Sequence, residues 1–199
     1  MIELLPFSLH WKELLTWYFT PRSDGVRDVW RGRKGDVIVM RLSRPEDGPR
    51  IQQMVRDLSL QSRYQRFFYP VHELTPDMIE RFTANAPGKA MNLVAAVSED
   101  GHDRLVGMAQ YVVGDVPGEA EFAVVVADGW QREGLGRRLV RGVVSLAREA
   151  GVQRLGGDVL ADNEPMRGLM LELGFRLTRH PDGAYLRRAV KEIGVRGRG

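Results

Sequence analysis

The stretch from residue 120 to residue 150 constrains the fold of this chain more than any other. It reads AEFAVVVADGWQREGLGRRLVRGVVSLAREA. The apolar run Phe122–Val126 predicts a buried strand, and a glycine-bearing loop over 131–136 follows it directly. Apolar residues then recur at helical spacing, which predicts an amphipathic helix with one buried face. They are Leu135, Leu139, Val143, Leu146 and Ala150.

The predicted loop is suited to a negatively charged ligand. Gly134 and Gly136 allow the backbone to approach a ligand closely, because neither carries a side chain. The free amides at the start of a helix, together with the positive end of the helix dipole, favour phosphate groups. The stretch therefore predicts a binding site for a phosphate or a pyrophosphate.

The spacing of the glycines separates this loop from two other phosphate-binding loops. A P-loop would require Gly-Lys-Ser/Thr after the loop, and a dinucleotide-binding turn would require a third glycine within it. The loop over 131–136 meets neither requirement. It has Gln-x-x-Gly-x-Gly instead, as Gln131, Gly134 and Gly136, after a strand and at the start of a helix. In this feature the chain resembles the GNAT N-acetyltransferases, whose pyrophosphate loop for acetyl-CoA has this pattern in this context.

The composition favours one domain and excludes several kinds of site. A chain of 199 residues with 43% hydrophobic content is long enough for one domain with an ordinary core. It has no cysteine, which excludes a disulfide scaffold and a cysteine nucleophile, and its four histidines stand at no metal-ligand spacing. We therefore expect no metal. The formal charge of +3 suits a polyanionic ligand and does not call for nucleic acid.

The N-terminal segment and the length of the apolar runs indicate where in the cell the protein is expected. The N-terminal segment carries Glu3 and has no basic region ahead of an apolar stretch, so we expect no signal peptide. No apolar run approaches the length of about 18 residues that a membrane span requires. The sequence predicts a cytoplasmic protein without a membrane partner.

Residues 1–36 are predicted to be an extension of uncertain structure. Ser8 could cap a helix over Leu9–Phe19, but the apolar residues of this segment lie nearly all round, so a strand or a docking segment is equally open. The aromatic residues of the extension, with Trp30, favour packing against the body of the protein or against a partner chain. A homodimer is therefore left open. The run 31–36 predicts a solvated turn.

The rest of the chain alternates strand and helix signals. Val37–Met40 predicts the first strand of the main domain, which is expected to cover 37–190 with a tail over 191–199. Further strands are predicted at 92–97, 105–113 and 155–160, with a final hairpin of 175–178 and 184–188. Helices are predicted around Ile51–Leu58, at 76–84 after the N-cap Thr75, and at 163–173.

This order of elements also resembles that of the GNAT acetyltransferases over 37–190. The resemblance implies a mixed α/β (α+β) fold, with a central, mostly antiparallel sheet of about six to seven strands and about four flanking helices. In that family the strand before the pyrophosphate loop splays from its neighbour, and pantetheine pairs with its backbone, here at Val124 and Val126. The resemblance also places Asn163 on the pantetheine arm. An asparagine side chain is equally suited to cap the N-terminus of the helix that follows, so both roles of Asn163 are open.

Acetyl-CoA is the acyl donor that the resemblance implies. Its expected contacts lie on the central strand, on the loop and at the start of the following helices. They are Val124, Val125, Val126, Gln131, Arg132, Glu133, Gly134, Leu135, Gly136, Arg137, Asn163 and Met166.

Acetyl transfer to an amine requires a proton acceptor. A lysine amine with its ordinary pKa of about 10.4 is only about 1 part in 2,500 neutral at pH 7. Glu121 lies within the apolar strand, where burial would make a carboxylate a stronger base, and we predict it to be the general base. Asp128 is the competitor, but its place in the loop favours a cap or a turn. A solvent-facing carboxylate, as expected for Glu119, is the alternative for Glu121.

The resemblance supplies no general acid. Many GNAT enzymes carry a tyrosine four residues before a Gly-Phe pair, and that position is Met170, ahead of Gly174 and Phe175. Positioning of the reactants and a backbone amide at Val124 that holds the thioester oxygen would then supply most of the acceleration.

A narrower resemblance concerns the acceptor. The segment Ser62-Arg-Tyr-x-Arg-Phe-Phe68, together with Glu121 ahead of the loop, is similar to the GNAT domain of bacterial protein lysine acetyltransferases that modify acyl-CoA synthetases. In that group the glutamate is the general base. The resemblance implies an acceptor lysine on a protein such as an acyl-CoA synthetase. The charges of Arg63 and Arg66, next to the acceptor side, suit an acidic protein surface better than a cationic small molecule. A small-amine acetyltransferase and a non-catalytic acetyl-CoA-binding module are the alternatives.

Overall fold

A computed structural model describes residues 25–33, 35–99 and 101–194. The strands are β1 Val26–Arg31, β2 Val37–Leu42, β3 Ala90–Glu99, β4 His102–Val113, β5 Glu119–Val126, β6 Arg154–Leu160, β7 Arg176–His180 and β8 Gly183–Glu192. The helices are α1 Gly48–Asp57, α2 Leu60–Phe67, α3 Pro76–Thr83, α4 Leu135–Glu149 and α5 Glu164–Glu172, with short 3-10 turns at Pro45–Asp47 and Asp128–Trp130. The helix predicted over Leu9–Phe19 lies outside the described residues.

The strands form one twisted sheet in the order β1-β2-β3-β4-β5-β6-β8-β7. Every neighbouring pair is antiparallel except β5 and β6, which are parallel. The predicted mixed α/β fold with a mostly antiparallel sheet is confirmed. Within the described residues the sheet has eight strands rather than six to seven, and five α-helices flank it rather than about four.

Strand β1 was not predicted, and it extends the sheet ahead of residue 37. It pairs with β2, so the sheet begins at Val26. The strand lies at the sheet edge, where its residues are exposed or half-buried, and Val26 itself is 41% exposed. An edge strand with charged residues gives little hydrophobic alternation, which explains why the sequence pattern missed it. Trp30 lies on this strand and packs against the main core.

Helix α2 was also missed, within the aromatic segment between the predicted helices. Ser59 caps it by accepting a hydrogen bond from the Ser62 amide at 3.1 Å. The helix is only two turns long and begins with Leu60, which is 71% exposed, so its apolar residues show no helical period. Phe67 is buried at its end.

The two faces of the sheet carry separate hydrophobic clusters. One lies under α4, and the other lies under α1, α2 and α3. Four of the five residues predicted for the buried face of α4 are buried, but Ala150 is exposed because the helix ends at Glu149, and Ala147 is buried instead. Gly142 lets α4 lie close to β3, since a Cβ there would be 2.7 Å from Leu93 Cδ1.

A buried ion pair joins the end of β2 to the start of α1. The two Nη atoms of Arg41 donate to the two carboxylate oxygens of Asp47 at 2.6 and 2.8 Å, and both side chains are almost fully buried. Burial alone would raise the pKa of Asp47, but the hydrogen bond and charge of Arg41 outweigh it, so this pKa is lowered. The pair therefore holds a charged carboxylate inside the protein.

Replacing Arg41 by Met is expected to lower the free energy of unfolding by about 3–5 kcal/mol at pH 7, because it leaves a buried carboxylate without its partner. The folded-state pKa of Asp47 is lowered, so the stability from this pair is present above its unfolded pKa of about 3.9 and is lost as the pH falls through the folded-state value. Urea unfolding at pH 7 and near pH 3 should show the difference between wild type and variant shrinking at acid pH. A difference that does not change with pH would contradict this assignment.

None of the helices in the described ranges has the length and hydropathy needed to cross a bilayer.

Candidate active site

A cleft of about 1220 Å³ opens where β5 and β6 separate. The two strands pair only at Glu119, Ala120 and Glu121 of β5, and Glu121 opposite Gly156 is the last paired position. Beyond it the strands diverge, as the splayed sheet was predicted to do. We call the point where Glu121 and Gly156 face each other the fork.

The backbone of β5 directs hydrogen-bonding groups to this cleft. The Ala127 amide donates to the Val106 carbonyl at 2.9 Å, and the Gly114 amide donates to the Glu119 carbonyl at 3.1 Å, so odd-numbered residues of β5 bond to β4. The even-numbered residues Val124 and Val126 therefore direct their backbone groups to the other side. Because pairing with β6 has ended, the Val124 amide faces the cleft without a strand partner among the described residues.

The loop between β5 and α4 has the backbone conformation of an anion site. Gly134 is in the left-handed region with φ of 85°, and Arg132, which is not a glycine, also has a positive φ of 61°. The Arg138 amide bonds to the Gly134 carbonyl at 3.2 Å, which leaves the preceding amides of α4 outside the intrahelical ladder. No side chain in the described part of the chain caps this helix. The amides and the helix dipole are available to an anion.

Two polar side chains attach helix α2 to this loop. Gln131 donates from Nε2 to Ser62 Oγ and to the Val126 carbonyl, both at 3.1 Å. Asp128 accepts hydrogen bonds from the Ser59 amide at 2.8 Å and from Ser62 Oγ at 2.7 Å. Burial opposes ionisation of Asp128, but the hydrogen bonds from Ser62 and Ser59 outweigh it and lower its pKa. Asp128 therefore holds Ser59, the N-cap residue of α2, against the loop after β5.

Glu121 lies at the fork but is not buried. Its side chain is 54% exposed, so the expectation that burial would make it a stronger base is wrong. Both carboxylate oxygens accept hydrogen bonds from the guanidinium of Arg188, with Nη1 to Oε2 at 2.8 Å. The strand reads as apolar from the sequence, but Glu121 occupies its less covered end. An accessible carboxylate, held by an arginine, is what the structure provides.

Most of the residues predicted to contact acetyl-CoA line the cleft. These are Val124, Val125, Val126, Gln131, Arg132, Gly134, Gly136, Arg137, Asn163 and Met166, and Glu121 lines it as well. Leu135 does not, because its side chain is 2% exposed and packs in the core. Glu133 is also absent from the lining. Of the two arginines predicted to face the acceptor, Arg66 lines the cleft and Arg63 does not.

Asn163 caps a helix and also lines the cleft. Its side-chain Oδ1 accepts a hydrogen bond from the Met166 amide at 3.1 Å, so it is the N-cap of α5. It also lines the cleft. Met170, which stands where many family members have a tyrosine, is fully buried and offers no hydroxyl.

Several residues of the cleft were not found from the sequence. Asp158 lines it on β6, and Arg188 on β8 joins Asp158 to Glu121. Their pairing depends on strand register between distant segments, which the sequence pattern does not contain. Asp158 follows the paired glycines Gly156 and Gly157 in β6, and such glycines in a strand are the signal that could have indicated a close approach there.

Arg66 places a positive charge at the α2 and α3 side of the cleft. Its guanidinium lies 5.0 Å from the ring centroid of Phe67 and 5.6 Å from that of Phe82. Burial lowers the pKa of Arg66 to about 10, so it stays cationic at neutral pH. Among the described carboxylates, none lies within ion-pair distance of it.

The sequence is similar to that of known acetyltransferases. The profile of the Acetyltransferase (GNAT) family matches residues 54–175. An acetyltransferase of Pseudomonas aeruginosa is 34% identical over 148 residues, which cover 74% of this chain and 80% of that protein.

Solved structures share the fold. The GNAT domain of S. lividans PAT is 25% identical, with a TM-score of 0.74 over 83% of this chain and 96% of that one. The yncA acetyltransferase structure from Salmonella typhimurium, which contains its cofactor acetyl-CoA, is 18% identical, with a TM-score of 0.63 over 80% of this chain and 96% of that one. The second similarity concerns the fold alone.

Proposed function

The chain belongs to the acetyltransferase (GNAT) family, and on that premise we propose that it acetylates lysine side chains of proteins, such as an acyl-CoA synthetase, with Glu121 as the general base. It is an acetyltransferase, and acetyltransferases of this family use acetyl-CoA. The observation that carries the proposal is the position of the Glu121 carboxylate, half-exposed at the fork from which the cleft opens.

The proposed place of acetyl-CoA follows from the free groups of the cleft. The pyrophosphate would lie on the amides of the loop, between Gln131 and Arg137, which face an anion without competition from a side-chain cap. The pantetheine arm would extend along β5 in the gap left by β6, with Asn163 on its other side. This brings the thioester to the region of Val124.

The proposed reaction is a direct transfer. The neutral lysine amine attacks the thioester carbonyl carbon, and the developing oxyanion accepts a hydrogen bond from the Val124 amide. Glu121 accepts the proton that the amine loses, directly or through a water. The carbon–sulfur bond then breaks, and CoA leaves as a thiolate that takes up a proton. Because Met170 supplies no acid, the thiolate takes its proton from water, and Glu121 releases to solvent the proton that it accepted from the amine.

Two features of the cleft support a protein acceptor. Glu121 is 54% exposed, so a lysine on a protein surface can approach it from solvent. Arg66 and Arg81 line the α2 and α3 side of the same cleft, and these cations suit an acidic surface around the acceptor lysine better than a cationic small amine.

The experiment incubates the protein with labelled acetyl-CoA and a bacterial lysate, with a purified acetyl-CoA synthetase as a second acceptor. We expect label on discrete protein bands that are absent with Glu121→Gln and present with Glu119→Gln. Glu119 is a suitable control because it lies on the same strand and pairs with Arg154 at 3.0 Å, away from the cleft lining. Label found only in the small-molecule fraction would overturn the protein acceptor and favour a small amine.

A further inference from the structure

The guanidinium of Arg188 connects Glu121 to a neighbouring carboxylate and to a distant strand. Its Nη1 donates to Glu121 Oε2 at 2.8 Å and to Asp158 Oδ1 at 2.9 Å, and its Nη2 donates to Glu121 Oε1. Arg188 lies on β8 opposite Asp158 of β6, while Glu121 lies on β5. Since the strands run in the order β5-β6-β8, the Arg188 side chain must cross β6 to reach Glu121.

Gly156 provides the opening for this crossing. A Cβ at Gly156 would lie 2.5 Å from Arg188 Nη2 and 3.0 Å from its Cζ, so any side chain there would displace the guanidinium. The backbone does not itself require glycine at this position, because its φ is not positive. The absence of a side chain therefore serves the close approach of Arg188.

The Arg188 side chain, by crossing β6, holds the Glu121 carboxylate at the fork. Glu121 opposite Gly156 is the last paired position of β5 and β6, and Arg188 holds the Glu121 carboxylate over Gly156, on the β6 side of its strand. The backbone of Val124 faces the same side. Without Arg188, a half-exposed glutamate would have no described contact that keeps it there.

The contact leaves acceptor sites of the Glu121 carboxylate unoccupied. Each carboxylate oxygen has two lone pairs, and a two-pronged guanidinium occupies only one on each. The hydrogen bond to Glu121 raises the pKa of Arg188, so the guanidinium is permanently charged. Asp158 in turn lies 3.3 Å from His180 Nε2, and His180 Nδ1 accepts a hydrogen bond from the Asp182 amide at 3.0 Å.

We propose that Arg188 is the positioning residue for the Glu121 carboxylate and that Gly156 is the opening through which it acts. This inference rests on the proposed role of Glu121 as the general base. It explains why position 188 is an arginine and position 156 a glycine, although neither residue belongs to a sequence motif.

The test measures initial rates of label transfer from acetyl-CoA into the protein and small-molecule fractions of one lysate preparation. We expect Arg188→Ala to lower kcat about 10- to 100-fold, since a misplaced group costs about that much, and to leave the KM for acetyl-CoA within about twofold. Arg188→Lys should recover part of the rate, and added guanidinium chloride should recover part of the rate of Arg188→Ala but not of Glu121→Gln. Gly156→Ala should reproduce the loss with Arg188 still present.

The matched control is Arg187→Ala. Arg187 neighbours Arg188 on β8, but within the described residues its guanidinium donates only to the backbone carbonyls of Ala184 and Leu186, at 2.9 and 2.8 Å. It should retain the wild-type rate. A wild-type or faster rate for Arg188→Ala would overturn the proposal, as would a loss that neither lysine nor guanidinium relieves.

The double variant Glu121→Gln with Arg188→Ala separates this proposal from the proposed function. If Arg188 acts through Glu121, the double variant should be no slower than Glu121→Gln alone, because the two residues then act as one unit. Losses that multiply would overturn the positioning role. A wild-type rate for Glu121→Gln would instead overturn the base assignment. In addition, the side-chain Nε–H signal of Arg188 in NMR spectra should shift in Glu121→Ala, and an unchanged signal would contradict the contact itself.

Discussion

Replacing Glu121 by Gln is expected to lower kcat by about 10²- to 10⁴-fold, which is the contribution typical of a general base. Glutamine has nearly the same shape and can still accept a hydrogen bond from Arg188, but it cannot take a proton from the acceptor amine. The affinity for acetyl-CoA should stay within about twofold of wild type, because its expected contacts lie on the loop and on the backbone of β5. Initial rates at saturating acetyl-CoA and calorimetric binding of acetyl-CoA measure the two quantities.

The control for this experiment is Glu119→Gln on the same strand. Glu119 lies two residues away on the same face of β5 and binds Arg154 at 3.0 Å, so it tests for general effects of losing a strand carboxylate. It should retain the wild-type rate. Equal rates for wild type and Glu121→Gln at neutral pH would exclude Glu121 as the base.

Asp158 is the residue to which the base would then be reassigned. It lines the same cleft and shares the guanidinium of Arg188 with Glu121, at 2.9 Å. A pair of variants, Glu121→Gln and Asp158→Asn, therefore identifies which of the two carboxylates takes the proton. Loss of transfer in the Asp158 variant alone would move the base to β6.

The parts of the fold and site that could be predicted from the sequence are those whose physical cause is local. The loop over 131–136 is an example, because a left-handed turn at Gly134 and free amides at a helix start need particular residues at a fixed spacing. The buried face of α4 and the N-cap at Asn163 are local in the same way. The separation of β5 from β6 was predicted from the resemblance to the GNAT family and not from the spacing of residues in the sequence.

The parts that could not be predicted depend on long-range register and exposure. An apolar strand pattern suggested a buried Glu121, but exposure is set by which neighbours cover the strand end, and here the side chain is 54% exposed. The Arg188–Glu121 pair joins residues 67 positions apart in the sequence, across an intervening strand. Edge strand β1 was missed for a related reason, since partial exposure removes the alternation that marks a strand.

Replacing Gly136 by Asp is expected to weaken acetyl-CoA binding by more than about 100-fold. Gly136 lies in the first turn of α4, where the structure leaves room for a side chain, since a Cβ would be 3.5 Å from Leu169 Cδ2 and 3.7 Å from Val126 Cγ2. An aspartate at the start of a helix stabilises it by about 0.3–1 kcal/mol, so the protein should fold at least as stably as wild type. The same carboxylate would repel a pyrophosphate by about 3 kcal/mol per charge at about 5 Å in a medium of effective dielectric constant about 20, which accounts for the loss.

Gly136→Asn separates charge from shape in this prediction. Asparagine has nearly the same size as aspartate but carries no charge, so Gly136→Asn should lose much less affinity. The difference between the two variants should also shrink at high salt, because the repulsion acts at a partly exposed site. Calorimetric titration with acetyl-CoA at low and high salt measures both effects. Equal affinity of Gly136→Asp and wild type would mean that the pyrophosphate does not lie on this helix start, and the placement of the whole acyl donor along β5 would fail with it.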